Sequence, residues 1–316
     1  MKNLKNYITE SLSPELKNSL LKTIEDIFNN PGTNDLNWDI KLKNGLGELT
    51  ASRYTIIEDF LKEIGVSDLF FIIKKCLKNT NITKTGKPIR QILSEYIKDD
   101  NKIKWEDLPE QGNIIDFISK HVFQNEGKDF LKNILNTSSR EGGLQIGAGE
   151  ILLLLFFQGA KKGSDIKFED KFQVEVKGEQ SRISVDRLWV NELCGKLGLD
   201  NKGFSGKTKI KNYFANASDE KIEIINEYFK DFGGLNFKDF KNDPYKFIQI
   251  ASLYKYQQSE GWKYLFLVNK KGDYVILNSE RNFIKNIESF LGNPKVKMYG
   301  GLNTVDKYCG FQMNLK

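Results

Sequence analysis

Glu150, Asp165, Glu175 and Lys177 are the side chains whose types and spacing suggest chemistry. Glu175 and Lys177 lie in Phe172 to Lys177, where apolar and polar residues alternate as they do on a half-buried strand. Strand side chains repeat every second residue, so the pair shares one face. Asp165 opens the preceding segment, Asp165 to Glu169, and a hairpin would bring it alongside. Two carboxylates and an ammonium on one sheet face are costly to bury unless a cation joins them. A hard divalent cation, Mg2+ or Mn2+, takes oxygen ligands: one or two carboxylates, with water and phosphate oxygens. The pattern makes Asp165 and Glu175 candidate metal ligands, with the Val176 carbonyl as a further one. Lys177 would position or deprotonate a water, or stabilise charge building on a phosphate. Glu150, one helix earlier, would reach the same metal through water. The bland counter-reading is a solvated strand face carrying a surface ion pair worth little.

The elements that must hold these residues follow in order. Gly147 to Gly149 start a helix that continues through the apolar run Ile151 to Phe157. A small polar turn, Gly159 to Ser164, leads into the two alternating segments. Asp165, then Glu175-Val176-Lys177, with Glu150 in the preceding helix, resembles the PD-(D/E)xK nuclease superfamily. The resemblance covers about residues 142 to 280, and Ser164 stands where the family's name has proline. It implies an α/β (α+β) fold, restriction-endonuclease-like, with a mixed sheet flanked by helices. It also implies magnesium-dependent hydrolysis of phosphodiester bonds in DNA.

Residues 1–140 read as a helical N-terminal domain and 141–316 as the nuclease-like domain. Ser13-Pro14-Glu15 is a helix start, with Ser at the N-cap and Pro in the first turn. Further helical patterns occupy Ser52 to Leu77, a stretch opening at Pro88, and Asn113 to Ile134. Beyond the site, Ser184 to Leu197 reads as a helix and residues 198–243 as less regular. Asp243-Pro244 opens another helix, and Lys263 to Val268 with Tyr274 to Leu277 forms a hairpin. A helix around Asn282 to Leu291 and a strand near Val296 to Tyr299 follow.

Two glycine-rich stretches are decoys. Gly203-Phe204-Ser205-Gly206-Lys207-Thr208 lacks the first glycine of a phosphate loop, since Asn201 stands there. It reads as a basic loop, touching DNA through Lys207, Lys209 and Lys211. Gly147-Ala148-Gly149 has Leu152 at the third glycine position of a dinucleotide fingerprint. Arg182, just after the strand, is a candidate phosphate contact. Gln257 and Gln258 are candidates for a DNA-facing helix edge, with ordinary helix surface as the equal alternative.

The 316-residue chain carries 48 basic and 42 acidic residues, a net charge of +6 that permits a nucleic-acid partner. Cys76, Cys194 and Cys309 are too few and too far apart for a disulfide framework or a zinc set. His121, the single histidine, would have to serve any His-dependent relay or metal site, and its helical setting argues instead for a packed or surface residue with no such role. The start has no secretory apolar core, and Ile151 to Phe157 is too short to cross a bilayer. A cytoplasmic protein is therefore expected, in the host cytoplasm or the virion if phage-encoded. The opening MKNLKNYITESL is similar to the starts of some tailed-phage proteins, which implies a role in phage genome processing or packaging. Partners would be DNA, with a homo-oligomer or a phage packaging partner besides. The alternatives are an inactive nuclease-fold binding or virion structural protein, and a restriction-type enzyme whose N-terminal helices read a sequence.

Overall fold

The computed structural model describes residues 102–123, 127–136, 147–162, 166–168, 171–200, 202–305 and 310–316. The chain divides into two compact units, Met1–Leu108 with Ile114–Glu169, and Pro109–Asn113 with Asp170–Lys316. The helices expected before residue 102, Cys76, Cys309, Asp165 and the junction at residue 140 all lie outside the described residues. Among the described residues helices and strands mix, an α+β architecture.

In the first unit, α1 (Ile114–Val122), α2 (Lys128–Leu135) and α3 (Ala148–Phe156) pack around a core that includes Ile118, Phe130, Ile134 and Phe156. The stretch read as one helix from Asn113 to Ile134 is two. Gly127 opens α2 at φ +72°, and a Cβ there would sit 2.6 Å from the Phe123 ring. α3 is buried on nearly every side, as its continuous apolar run demands. After it, β2 (Ala160–Lys162) pairs antiparallel with β3 (Ile166–Phe168). The segment read as a polar turn is thus partly strand, because Ala160 pairs with Phe168 and Lys162 with Ile166. Trp105 closes this hairpin, its ring 5.2 Å from Phe168 and 6.1 Å from Phe157.

The second unit holds two sheets. One contains β1 (Gln111–Asn113), β7 (Asp273–Asn278), β6 (Tyr264–Val268) and β4 (Phe172–Lys177), in that order. β6 and β7 form the expected antiparallel hairpin, whereas β4 runs parallel to β6, with Glu175 opposite Leu265 and Lys177 opposite Leu267. A parallel pair needs a long crossover. Here the crossover carries α4 (Arg187–Lys196), α5 (Lys207–Ala215), α6 (Asp219–Phe229) and α7 (Pro244–Glu260). Helices α5 and α6 correct the expectation of an irregular 198–243. Ser218 caps α6 by accepting from Lys221 N, and Phe214, Phe229, Phe237 and Phe247 pack together beneath both helices. The supposed basic loop is therefore helical, with Lys207, Lys209 and Lys211 in α5.

The second sheet orders β5 (Ser181–Arg182), β9 (Gly310–Leu315) and β8 (Val296–Gly301), all antiparallel, with α8 (Phe283–Gly292) leading into β8. Gly310 is required here, since a Cβ on it would fall 1.6 Å from the Ile183 carbonyl oxygen. Among the described residues no helix is long and apolar enough to cross a membrane.

Candidate active site

β4 forms because its residues alternate, yet its two faces are not one dry and one wet. Val174 is fully buried on one face, and on the other Glu175 is only 4% exposed. Lys177 Nζ meets Glu175 Oε1 at 2.6 Å, as the two-residue repeat requires, with its side chain 18% exposed. The solvated-face reading does not survive this burial. A buried carboxylate held by an ammonium is a costly arrangement that packing alone does not call for.

The cover over this face is α7. Asp243 caps it by accepting from Lys246 N at 3.3 Å, Pro244 sits in its first turn, and Gly261 ends it in the left-handed region. Tyr245, Gln249, Ser252 and Tyr256 follow one another at intervals of four, three and four, so they form a polar stripe on a mostly buried helix. Each has a defined partner. Tyr245 donates to the Gly300 carbonyl at 3.1 Å and Gln249 to the Met298 carbonyl at 2.6 Å, which satisfies edge strand β8. Ser252 donates back to the Ile248 carbonyl within the helix. Tyr256, itself 4% exposed, donates to Glu175 Oε1 at 2.6 Å. The Lys177 ammonium also lies 5.3 Å from the centre of the Tyr256 ring. Glu175, Lys177 and Tyr256 therefore form one cluster with charge-assisted bonds, the short and strong kind.

Of the expected site residues, the structure thus joins Glu175 and Lys177. Val176 lies between them, paired in register with Phe266. Glu150 belongs to the first unit, where its Oε2 accepts from Gly147 N at 2.8 Å and so caps the start of α3. Asp165 lies outside the described residues. Among those described, no group of three or more His, Cys, Asp or Glu side chains is placed to hold a metal ion. The donors present nevertheless suit a hard cation in kind, a carboxylate and a peptide oxygen.

The remaining candidates have local explanations. Gln257 donates to the Trp262 carbonyl at 2.9 Å and Gln258 to Gln257 Oε1 at 2.7 Å, so both are engaged at the C-terminal end of α7. His121 is exposed on α1, its Nδ1 2.8 Å from the Phe117 carbonyl oxygen and its ring against Phe117, a surface helix position. Tyr256 is the residue that the sequence reading passed over. Its pairing with Glu175 spans 81 residues, and its helical stripe with Gln249 and Tyr245 was the available signal. Compared with protein-family models, curated proteins and solved structures, the chain matches none.

Proposed function

We propose that the chain is a metal-dependent DNA nuclease with a restriction-endonuclease-like core. The observation carrying this reading is a carboxylate buried in a strand and bonded to the lysine two residues on, beneath a helix-borne tyrosine. The order of elements supports it: a helix, a short hairpin, the Glu-x-Lys strand, then a crossover to a parallel strand. Glu175 and Asp165 would hold Mg2+ or Mn2+, with the Val176 carbonyl as a further oxygen. When bound, such a metal lowers the pKa of a water and draws charge from the phosphodiester. Lys177 holds its ammonium where charge would build on the phosphate, and Tyr256 fixes the orientation of Glu175. Glu150 caps α3, and any assisting role in catalysis would be additional. Genome processing or packaging in a phage is the setting that the opening residues suggest.

The test is cleavage of supercoiled plasmid. Nicking with Mg2+, none with EDTA, and loss of at least about 100-fold in Lys177→Ala of verified fold would support the reading. A nuclease-fold binding protein without activity is the second reading. It is favoured by Glu175 Oε1 already engaging two protein donors, Lys177 and Tyr256. Folded protein that leaves plasmid intact with either metal would decide for it.

A further inference from the structure

The sheet β5–β9–β8 has one dry face and one outward face. Phe311, Met313 and Leu315 alternate inward with Val296 and Met298, and all are buried. The register therefore lines up the opposite side chains in rows. Arg182 lies beside Gln312, which lies beside Tyr299, and the next row sets Asn314 beside Lys297. Neighbouring strands are about 4.8 Å apart, so Arg182 and Tyr299 are separated by roughly 10 Å across the central strand. A solvated antiparallel face is ordinary in itself. This one is unusual in three ways.

First, none of the three strands carries an aspartate or glutamate. Second, Tyr299 is 39% exposed, one of few large apolar side chains so placed among the described residues. Third, Lys316 N donates to the Lys295 carbonyl at 2.9 Å, which sets Lys316 at the end of the strand beside Lys297, and Lys316 holds the Lys297 ammonium below the usual lysine range. Cations held together in this way favour an anion between them. Gln312 and Asn314 place two amides in adjacent rows of this face, the Asn314 Oδ1 itself being buried.

We propose that this outward face docks a single-stranded segment of DNA, with a base stacked on Tyr299 and phosphates against Arg182, Lys297 and Lys316. The choice of DNA rests on the nuclease reading above. The face itself supports a single strand because aromatic stacking and paired amides address unpaired bases, while the cations follow a backbone. A duplex hides its base faces and would leave Tyr299 without a role.

The experiment is fluorescence anisotropy of the full chain with a labelled single-stranded oligonucleotide, in EDTA so that nothing is cut. Binding is expected at low salt. Tyr299→Ala should weaken it roughly 5- to 150-fold, the range for one stacked base, while Tyr299→Phe should keep most of it. Arg182→Ala and Lys297→Ala should each lower the slope of log affinity against log salt by about 0.7. Circular dichroism of each variant checks that the fold is retained. Absence of binding, equal binding by Tyr299→Ala, equal affinity for duplex, or preference for RNA of the same sequence would overturn the inference. A chain that binds single strands but never cuts with metal keeps this inference and loses the nuclease reading. A chain that cuts through Lys177 yet ignores Tyr299→Ala does the reverse.

Discussion

Replacing Lys177 by methionine removes one charge from a buried pair and keeps most of the side-chain volume. The two groups are 2.6 Å apart, with side chains 6% exposed for Glu175 and 18% for Lys177. At an effective dielectric near 20 their gross attraction is about 6 kcal/mol, most of it cancelled by the loss of hydration. Breaking a buried pair on one side costs about 3–5 kcal/mol, because the remaining charge stays desolvated. Tyr256 still donates to Glu175 and Lys177 is not fully sealed, so the low end, about 3 kcal/mol, is expected for Lys177→Met. The double variant Glu175→Gln with Lys177→Met should return to within about 1 kcal/mol of wild type, since no charge is left stranded. Urea unfolding followed by tryptophan fluorescence reads this directly, Trp262 lying 6.2 Å from the Tyr256 ring. A loss below about 0.5 kcal/mol in Lys177→Met is what an exposed pair gives, and it would refute the burial on which the site rests. So would a double variant no more stable than the single one.

Three further outcomes follow from individual contacts. Tyr256→Phe should cost about 1.5–3 kcal/mol in the same assay, as expected for a bond to a charged group; its effect should shrink when Glu175→Gln is already present. Glu150→Ala should lose about 1 kcal/mol through the α3 cap, while Glu150→Gln, which can still accept from Gly147 N, should lose less. Burial raises the Tyr274 phenol, and burial with Asp243 nearby raises that of Tyr245, each to about 12. An unfolded tyrosine releases its proton near pH 10, so between about pH 10 and 12 the unfolded chain gives up protons that the folded one keeps. Stability should therefore be complete below about pH 10 and fall as pH rises towards 12, with a shallower fall in Tyr245→Phe. Urea midpoints measured across that window check it.

The parts of the fold legible in the sequence were those governed by local rules. Alternation marked β4, the hairpin turn marked β6 and β7, and Asp243-Pro244 marked the start of α7 to the residue. Helices α5 and α6 escaped because their sequences, KTKIKNYFA and DEKIEIINEYF, are mostly polar and depend on a few aromatics meeting distant partners. β9 escaped for a similar reason, since its partners β5 and β8 define it. At the site, the Glu175–Lys177 contact followed from strand geometry alone. The cover did not, because the alternation of Phe172 to Lys177 predicts a wet face. The docking of α7 covers that face, and through Tyr256 it supplies a second donor.

The central claim is that Glu175 serves a metal rather than only a salt bridge. Crystals soaked in Mn2+ and measured for anomalous scattering test it most directly. The account predicts a peak about 2.1 Å from a Glu175 carboxylate oxygen, with Asp165 contributing a second oxygen. A well-ordered Glu175 still bonded to Lys177 and Tyr256, with no peak beside it, would contradict the account.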